Sequence, residues 1–584
     1  MCIACNPGMV SYLQSMASRR DFLKFLGKAA ATSAFACSAP GLAFAQQSTT
    51  AEAGDIIFKG GPILTMNGAN ARAEAIAVRN DRILAVGALK DVEAIVQSAT
   101  RVVDLQGRSL MPGLIDPHMH FVFTAFEDWI DVSPITTPDY ASVWAKLRAG
   151  VAKAKPGEWV RAQQFDASIT SGAKIPTLAE LDALAPDNPF FMQESNGHIA
   201  YANSAAFKAA GINQDVANPA GARFVRSGDG QLTGRLEEMA AQQEFLGAMP
   251  SPSGEDMVNR VQRLLKQASS VGCTMLHDCG IGIMAGAQDL QILDAVFADG
   301  QSPVRYRGML VSTIMDEWEA QGITPGRGDD IFRVDGIKAW ADGSNQAETG
   351  FQRENYLNTQ TRGALNFSLE QVTDVIRRAN EGGWQVGVHA NGDAAIDMVL
   401  DAYEAVLGKT SDTPLRHRIE HCSVFHPDQM QRMKAMGVSP SFLIGHVRWW
   451  GKAFRDRILG PDRARFYDPC ASALAAGLKI SLHSDWNVTP IEPLRYVEDA
   501  VTRVMNEGGD VFFPEECIPV DAALRAVTID AAWQCHMEDQ IGSLEVGKFA
   551  DFAILEQDPT TPDVKISQIK VSETWMGGVE RYKA

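Results

Sequence analysis

The chain has 584 residues, more than one average domain holds, and leaves room for a large barrel with a satellite domain. Hydrophobic residues at 46% and charged ones at 21% exclude a disordered or fibrous chain and allow a substantial core. A formal net charge of −18 would repel phosphate backbones, which argues against nucleic acid as a partner.

In chain order, residues 1–45 read as a removable leader rather than as part of the fold. Ser18-Arg19-Arg20-Asp21-Phe22-Leu23-Lys24 resembles a twin-arginine export signal, and a weakly apolar, Ala-rich stretch follows it. Ala43-Phe44-Ala45 then supplies the small residues that signal peptidase needs, ahead of Gln46. A second reading uses Cys37 as a lipoprotein cleavage site, with Ala34 where Leu is usual. The expected partner is therefore the twin-arginine export machinery, and the expected location is periplasmic or secreted. No later segment reaches the ~18–20 apolar residues of a membrane span. Six cysteines remain after the leader, at 273, 279, 422, 470, 517 and 535, with neither zinc-ribbon spacing nor a disulfide framework.

Short strands broken by Gly and Asn are predicted over 55–110, for example Ile56-Ile57-Phe58 and Arg82-Ile83-Leu84-Ala85-Val86. The final forty residues or so read alike, and neither end is large enough to bury a core alone. Residues 46–110 and 541–584 are thus expected to form one small composite β domain. Between them, 111–540 alternates apolar runs with helical stretches, as βα units on a parallel sheet do. The span 121–270 is too long for one such unit and reads as an insertion over the barrel mouth. The predicted fold class is α/β, a (β/α)8 TIM barrel with that small β domain.

The chemistry-bearing residues fall at the C-terminal ends of the apolar runs, where barrel active sites assemble. His118 and His120 follow Met111-Pro112-Gly113-Leu114-Ile115-Asp116-Pro117, and alternate residues of a strand can present two imidazoles to one ion. Lys338 lies within an apolar run, His389 and His421 end two later ones, and Asp485 follows Leu482-His483-Ser484.

The run from Pro112 to His120 resembles the opening strand of the amidohydrolase superfamily. More narrowly, the chain resembles the YtcJ-like amidohydrolase group, which includes N-substituted formamide deformylases. The matching stretches are Gly336-Ile337-Lys338, Asp342-Gly343-Ser344, His389-Ala390-Asn391-Gly392-Asp393, His417-Arg418-Ile419-Glu420-His421 and Ser484-Asp485-Trp486. The closing Ile541-Gly542-Ser543-Leu544-Glu545-Val546-Gly547-Lys548-Phe549-Ala550-Asp551 matches as well. That resemblance implies two divalent metal ions, zinc by expectation. It assigns His118, His120 and Asp485 to one ion and His389 and His421 to the other. Lys338 would bridge them as a carbamate. A free ammonium, with an ordinary pKa of about 10.4, would repel two cations, whereas a carbamate offers two anionic oxygens. Hydroxide held by the metal would attack a carbonyl, and Asp485 would move the proton to the leaving group.

His198, in Ser195-Asn196-Gly197-His198, and His446, after Phe442-Leu443-Ile444-Gly445 at an expected strand end, are candidates for substrate contact. His417 and His483 read as supporting or structural, and His277 as core. The expected activity is hydrolysis of a small molecule's non-peptide C–N bond: an amide, an N-substituted formamide or a cyclic amide. Ester or lactone hydrolysis on the same site is the rival, and a binding or regulatory protein on the same scaffold is the alternative from another class.

Overall fold

The computed structural model describes residues 55–68, 71–96, 101–195, 197, 199–219, 222–237 and 239–584. The leader with Arg19, Arg20 and Cys37, and the candidate His198, lie outside these residues.

Eight parallel strands form the central sheet: β1 (Leu114–Met119), β2 (Cys273–Ile281), β3 (Arg305–Val311), β4 (Phe332–Trp340), β5 (Gln385–Ala390), β6 (Arg418–His421), β7 (Ser439–Phe442) and β8 (Ser481–Leu482). Each pairs with the next in sequence. Most read as apolar runs because both faces are covered; every residue of β2 is buried. Helices separate the strands and cover the outside, among them Leu369–Glu381 after β4 and Asp393–Leu407 after β5. Ser368 and Gln371 start the former with a reciprocal capping box, satisfying two backbone N–H groups that would otherwise be orphaned.

β8 is short, so the barrel closes through backbone contacts just beyond it. The Asp485 N–H donates to the His118 carbonyl at 3.0 Å, and the His120 N–H donates to Trp486 O at 3.2 Å. The seam of the barrel therefore runs through candidate site residues.

The apolar run Met111–Pro117 is divided at Gly113. Ser109–Pro112 belongs to a second sheet, and β1 begins at Leu114. A Cβ on Gly113 would lie 2.0 Å from the Thr274 hydroxyl, so only glycine lets the chain pass β2 at this point. The second sheet joins both ends of the described chain: Phe552–Leu555 pairs antiparallel with Ser109–Pro112, which pairs with Ile56–Leu64. Its core packs Phe58 edge-on against Phe552 and Trp575, with centroids 4.9 and 5.0 Å apart.

Between β1 and β2 lies a third sheet of six strands, from Ile130–Asp131 to Leu232–Glu237, around Val143, Leu147, Phe165 and Phe190. The helix Gly254–Ser270, within the span read from sequence as insertion, packs on β2 and on Gln288–Phe297. It is the first outer helix of the barrel. Its Ser253–Asp256 capping box marks where the inserted segment ends and the barrel resumes.

Candidate metal centre

His118, His120, Lys338, His389, His421 and Asp485 come from β1, β4, β5, β6 and the turn after β8, all at one end of the barrel. Each is buried, with between 0% and 2% of its surface exposed. The Asp485 carboxylate lies 3.1 Å from His120 Nε2 and 3.5 Å from His118 Nε2. Lys338 Nζ stands 3.3 Å from His118 Nε2. The His421 ring is 4.9 Å from that of His118 and 4.7 Å from that of His389, so it reaches both halves of the set. Ligand atoms of His118, His421 and Asp485 all lie within 4.8 Å of one another.

Elements far apart in sequence hold these groups in place. Burial, followed by the nearby Lys338 and the other imidazoles, holds the His118 pKa well below the usual histidine range, so its ring is neutral. A neutral imidazole is the form that ligates a metal. His118 Nδ1 makes a 2.6 Å hydrogen bond to Glu420 Oε2, which directs Nε2 towards Asp485 and Lys338. His389 Nε2 lies 2.9 Å from the Gly343 carbonyl, which can only accept. The Asn391 side-chain amide lies 3.0 Å from the same nitrogen, so Gly343 and Asn391 together fix the ring's position. His421, Cys422 and Asp485 adopt left-handed φ values of 66°, 49° and 50°. Such geometry in non-glycine residues costs about 1–3 kcal/mol each and concentrates at functional sites.

Three carboxylates that received no role from the sequence support the centre. Asp116 accepts from Ser484 Oγ at 2.5 Å and from Tyr496 Oη at 3.1 Å, latching β1 to the turn that presents Asp485. Burial raises its pKa to about 6. Asp342 accepts the N–H groups of Asn391, Gly392 and Phe351 at 2.8–2.9 Å, fixing the loop after His389. Glu420 is the third. Donor atoms of His118, Cys279 and Glu420 also converge, but Arg418 contacts both oxygens of Glu420, at 2.7 and 2.8 Å. A guanidinium already neutralises that carboxylate, so this second group acts as support for the first.

Asp116 lies two residues before His118 on the same strand face, and Arg418 and Glu420 share another face by the same period of two. That alternation was the available signal. It was obscured because His421, adjacent to Glu420, also enters the site, which a regular strand would forbid. The left-handed turn at His421 allows it.

His446 does not end a strand: β7 stops at Phe442, and His446 lies in the first turn of the helix Gly445–Ala453. The strand expectation failed because the apolar run continues unbroken into that helix. Its Nε2 accepts from the Gln346 amide at 2.7 Å and its Nδ1 lies 3.4 Å from Tyr467 Oη, so both ring nitrogens are engaged within the protein. His483 stacks on His118, with centroids 4.6 Å apart. His417 sits away from the centre, its Nδ1 accepting the Val386 N–H at 3.0 Å. His277 lies below the centre, 3.1 Å from Arg418. A cavity of about 610 Å³ opens between the inserted sheet and the loop after β4, lined by Asp166, Glu194, Arg223, Arg235, Gln346 and Glu348 among others. Gln346 joins this cavity to His446.

The buried donors, their neutral histidine and their converging lone pairs fit a divalent metal. Among solved structures, an uncharacterized metal-dependent hydrolase from Pyrococcus horikoshii superposes with a TM-score of 0.70, covering 88% of this chain and 99% of that one at 22% identity. That likeness bears on the fold. N-substituted formamide deformylase of Arthrobacter pascens is 30% identical over 548 residues, 91% of this chain and 98% of that protein. The amidohydrolase YtcJ of Bacillus subtilis, described there as putative, is 27% identical over 89% of this chain and 98% of its own length. The model of the amidohydrolase family matches residues 101–582, and the chain belongs to that family.

Proposed function

We propose that the protein is an exported, metal-dependent hydrolase of non-peptide C–N bonds in small amides, N-substituted formamides or cyclic amides. The observation that carries this reading is the convergence of His118, His421 and Asp485 ligand atoms within 4.8 Å, with His120 and Lys338 beside them. The likeness to a formamide deformylase supports an amide over an ester. The twin-arginine motif at Arg19-Arg20 supports export.

His118, His120, Lys338 as a carbamate, His389, His421 and Asp485 would hold the divalent metal we assign, two zinc ions. When bound, such ions lower the pKa of water towards neutrality and polarise a carbonyl. The rest falls to the chain. Asp485 receives the proton released when water attacks the carbonyl and delivers it to the departing nitrogen. The Gln346 side chain, held by His446, faces the 610 Å³ cavity and orients the substrate there. The inserted sheet restricts access of bulk water.

Metal content per folded chain, measured beside Lys338→Ala, tests the centre. About two divalent ions, falling in the variant, is the expected result; no tightly bound metal after reconstitution would overturn the reading. An amide and an ester sharing one acyl group then test the bond, with faster amide turnover expected.

A further inference from the structure

We propose that Arg418 and Glu420 form a positioning pair for the metal centre, fixing the tautomer and aim of His118; this rests on the metal reading of that site. A carboxylate can only accept a hydrogen bond. The 2.6 Å contact between Glu420 Oε2 and His118 Nδ1 therefore puts the ring proton on Nδ1 and the lone pair on Nε2. Nε2 is the nitrogen that faces Asp485 and Lys338, at 3.5 and 3.3 Å.

Glu420 is itself held. Arg418 Nη2 donates to the same oxygen at 2.8 Å, while Nε lies 2.7 Å from the other, an ion-pair contact outside hydrogen-bond alignment. The same Nη2 also donates to the Pro117 carbonyl at 3.0 Å, so Arg418 grips the peptide immediately before His118 as well as the carboxylate on its ring. Both side chains are fully buried. β5 makes room for them: a Cβ on Gly387 would come within 2.8 Å of Glu420 Oε1. A buried ion pair adds little net stability compared with apolar residues of the same shape, so stability alone gives weak reason for one here. Orientation of a ligand is a sufficient reason, since partners of this kind typically govern metal affinity by 10–100-fold.

The test uses the full chain stripped of metal, titrated with zinc against a chelator of known affinity, and loaded separately with cobalt for its visible spectrum. Glu420→Gln keeps the shape but loses the charge, and it leaves Arg418 buried without a counter-charge. Arg418→Met combined with Glu420→Gln removes that penalty and serves where the single variant folds poorly. In the folded variants, zinc affinity is expected to fall roughly 10–100-fold and the cobalt absorption to shift. A folded variant with lower thermal stability but wild-type zinc affinity and an unaltered cobalt spectrum would overturn the positioning role. Failure of the wild-type chain to bind either metal would overturn the metal reading itself.

Discussion

Asp485 carries two proposed roles, metal ligand and proton carrier, and both draw on its carboxylate. Its carboxylate contacts His118 and His120, and the proposed mechanism gives it the proton. Asp485→Asn keeps the size, the backbone N–H bond to His118 O and the left-handed turn, but it removes the basic oxygen. Turnover is expected to fall by at least 100-fold, within the range usual for general acid–base groups, while the melting temperature stays near that of the wild type. Turnover within a few-fold of wild type would refute the role. His446 shows the limit of reasoning at this scale. Its type and position suggested a group facing substrate, yet Gln346 and Tyr467 already engage its two nitrogens. Hydrogen-bond occupancy is a property of neighbours distant in sequence, and no local pattern contains it.

At the scale of elements, period-two alternation pointed to His118 and His120, while the other candidates came from their places in or after apolar runs. His118 and His120 alternate on and just beyond β1, Lys338 lies within β4 as its apolar run implied, and His389 lies near the end of β5. Where the backbone leaves regular geometry, alternation fails; Glu420 and His421 are neighbours that both enter the site. The split of one apolar run at Gly113 into strands of two sheets was equally illegible, since both pieces are buried and extended. The two sheets are tied by Arg305 at the start of β3, which grips Asp551 with contacts of 2.6 and 3.1 Å and stacks on Phe549 at 3.6 Å. Both partners are buried. Asp551→Ala leaves a guanidinium without its counter-charge, and a loss of about 3–5 kcal/mol is expected in denaturant unfolding. A loss below about 1 kcal/mol would mean that the small sheet does not depend on this pair.

For the whole molecule, the proposed export and the proposed metal loading are linked, because a twin-arginine route carries proteins that have already folded. Replacing Arg19 and Arg20 with lysine is expected to leave the full chain inside the cell, folded and with its metal content unchanged. Fractionation of expressing cells gives the answer, and undiminished export of the variant would discard the assignment. The inserted sheet has its own core around Leu147 and Phe165. It forms one wall of the cavity, so differences in substrate preference are expected to arise there rather than in the barrel.

The order of the chemistry is legible along the chain: an alternating βα pattern, donor-type residues in and after its apolar runs, and two strand-rich termini too small to stand alone. These are local properties, readable because hydrophobic periodicity and residue type act over a few positions. Which donors meet, the closure of β8 on β1 through Asp485 and Trp486, and the support that Asp116, Asp342 and Glu420 give the candidate centre follow from the folded barrel alone. Those outcomes depend on strands separated by hundreds of residues being brought within hydrogen-bonding distance, a matter of barrel closure that no window of sequence encodes.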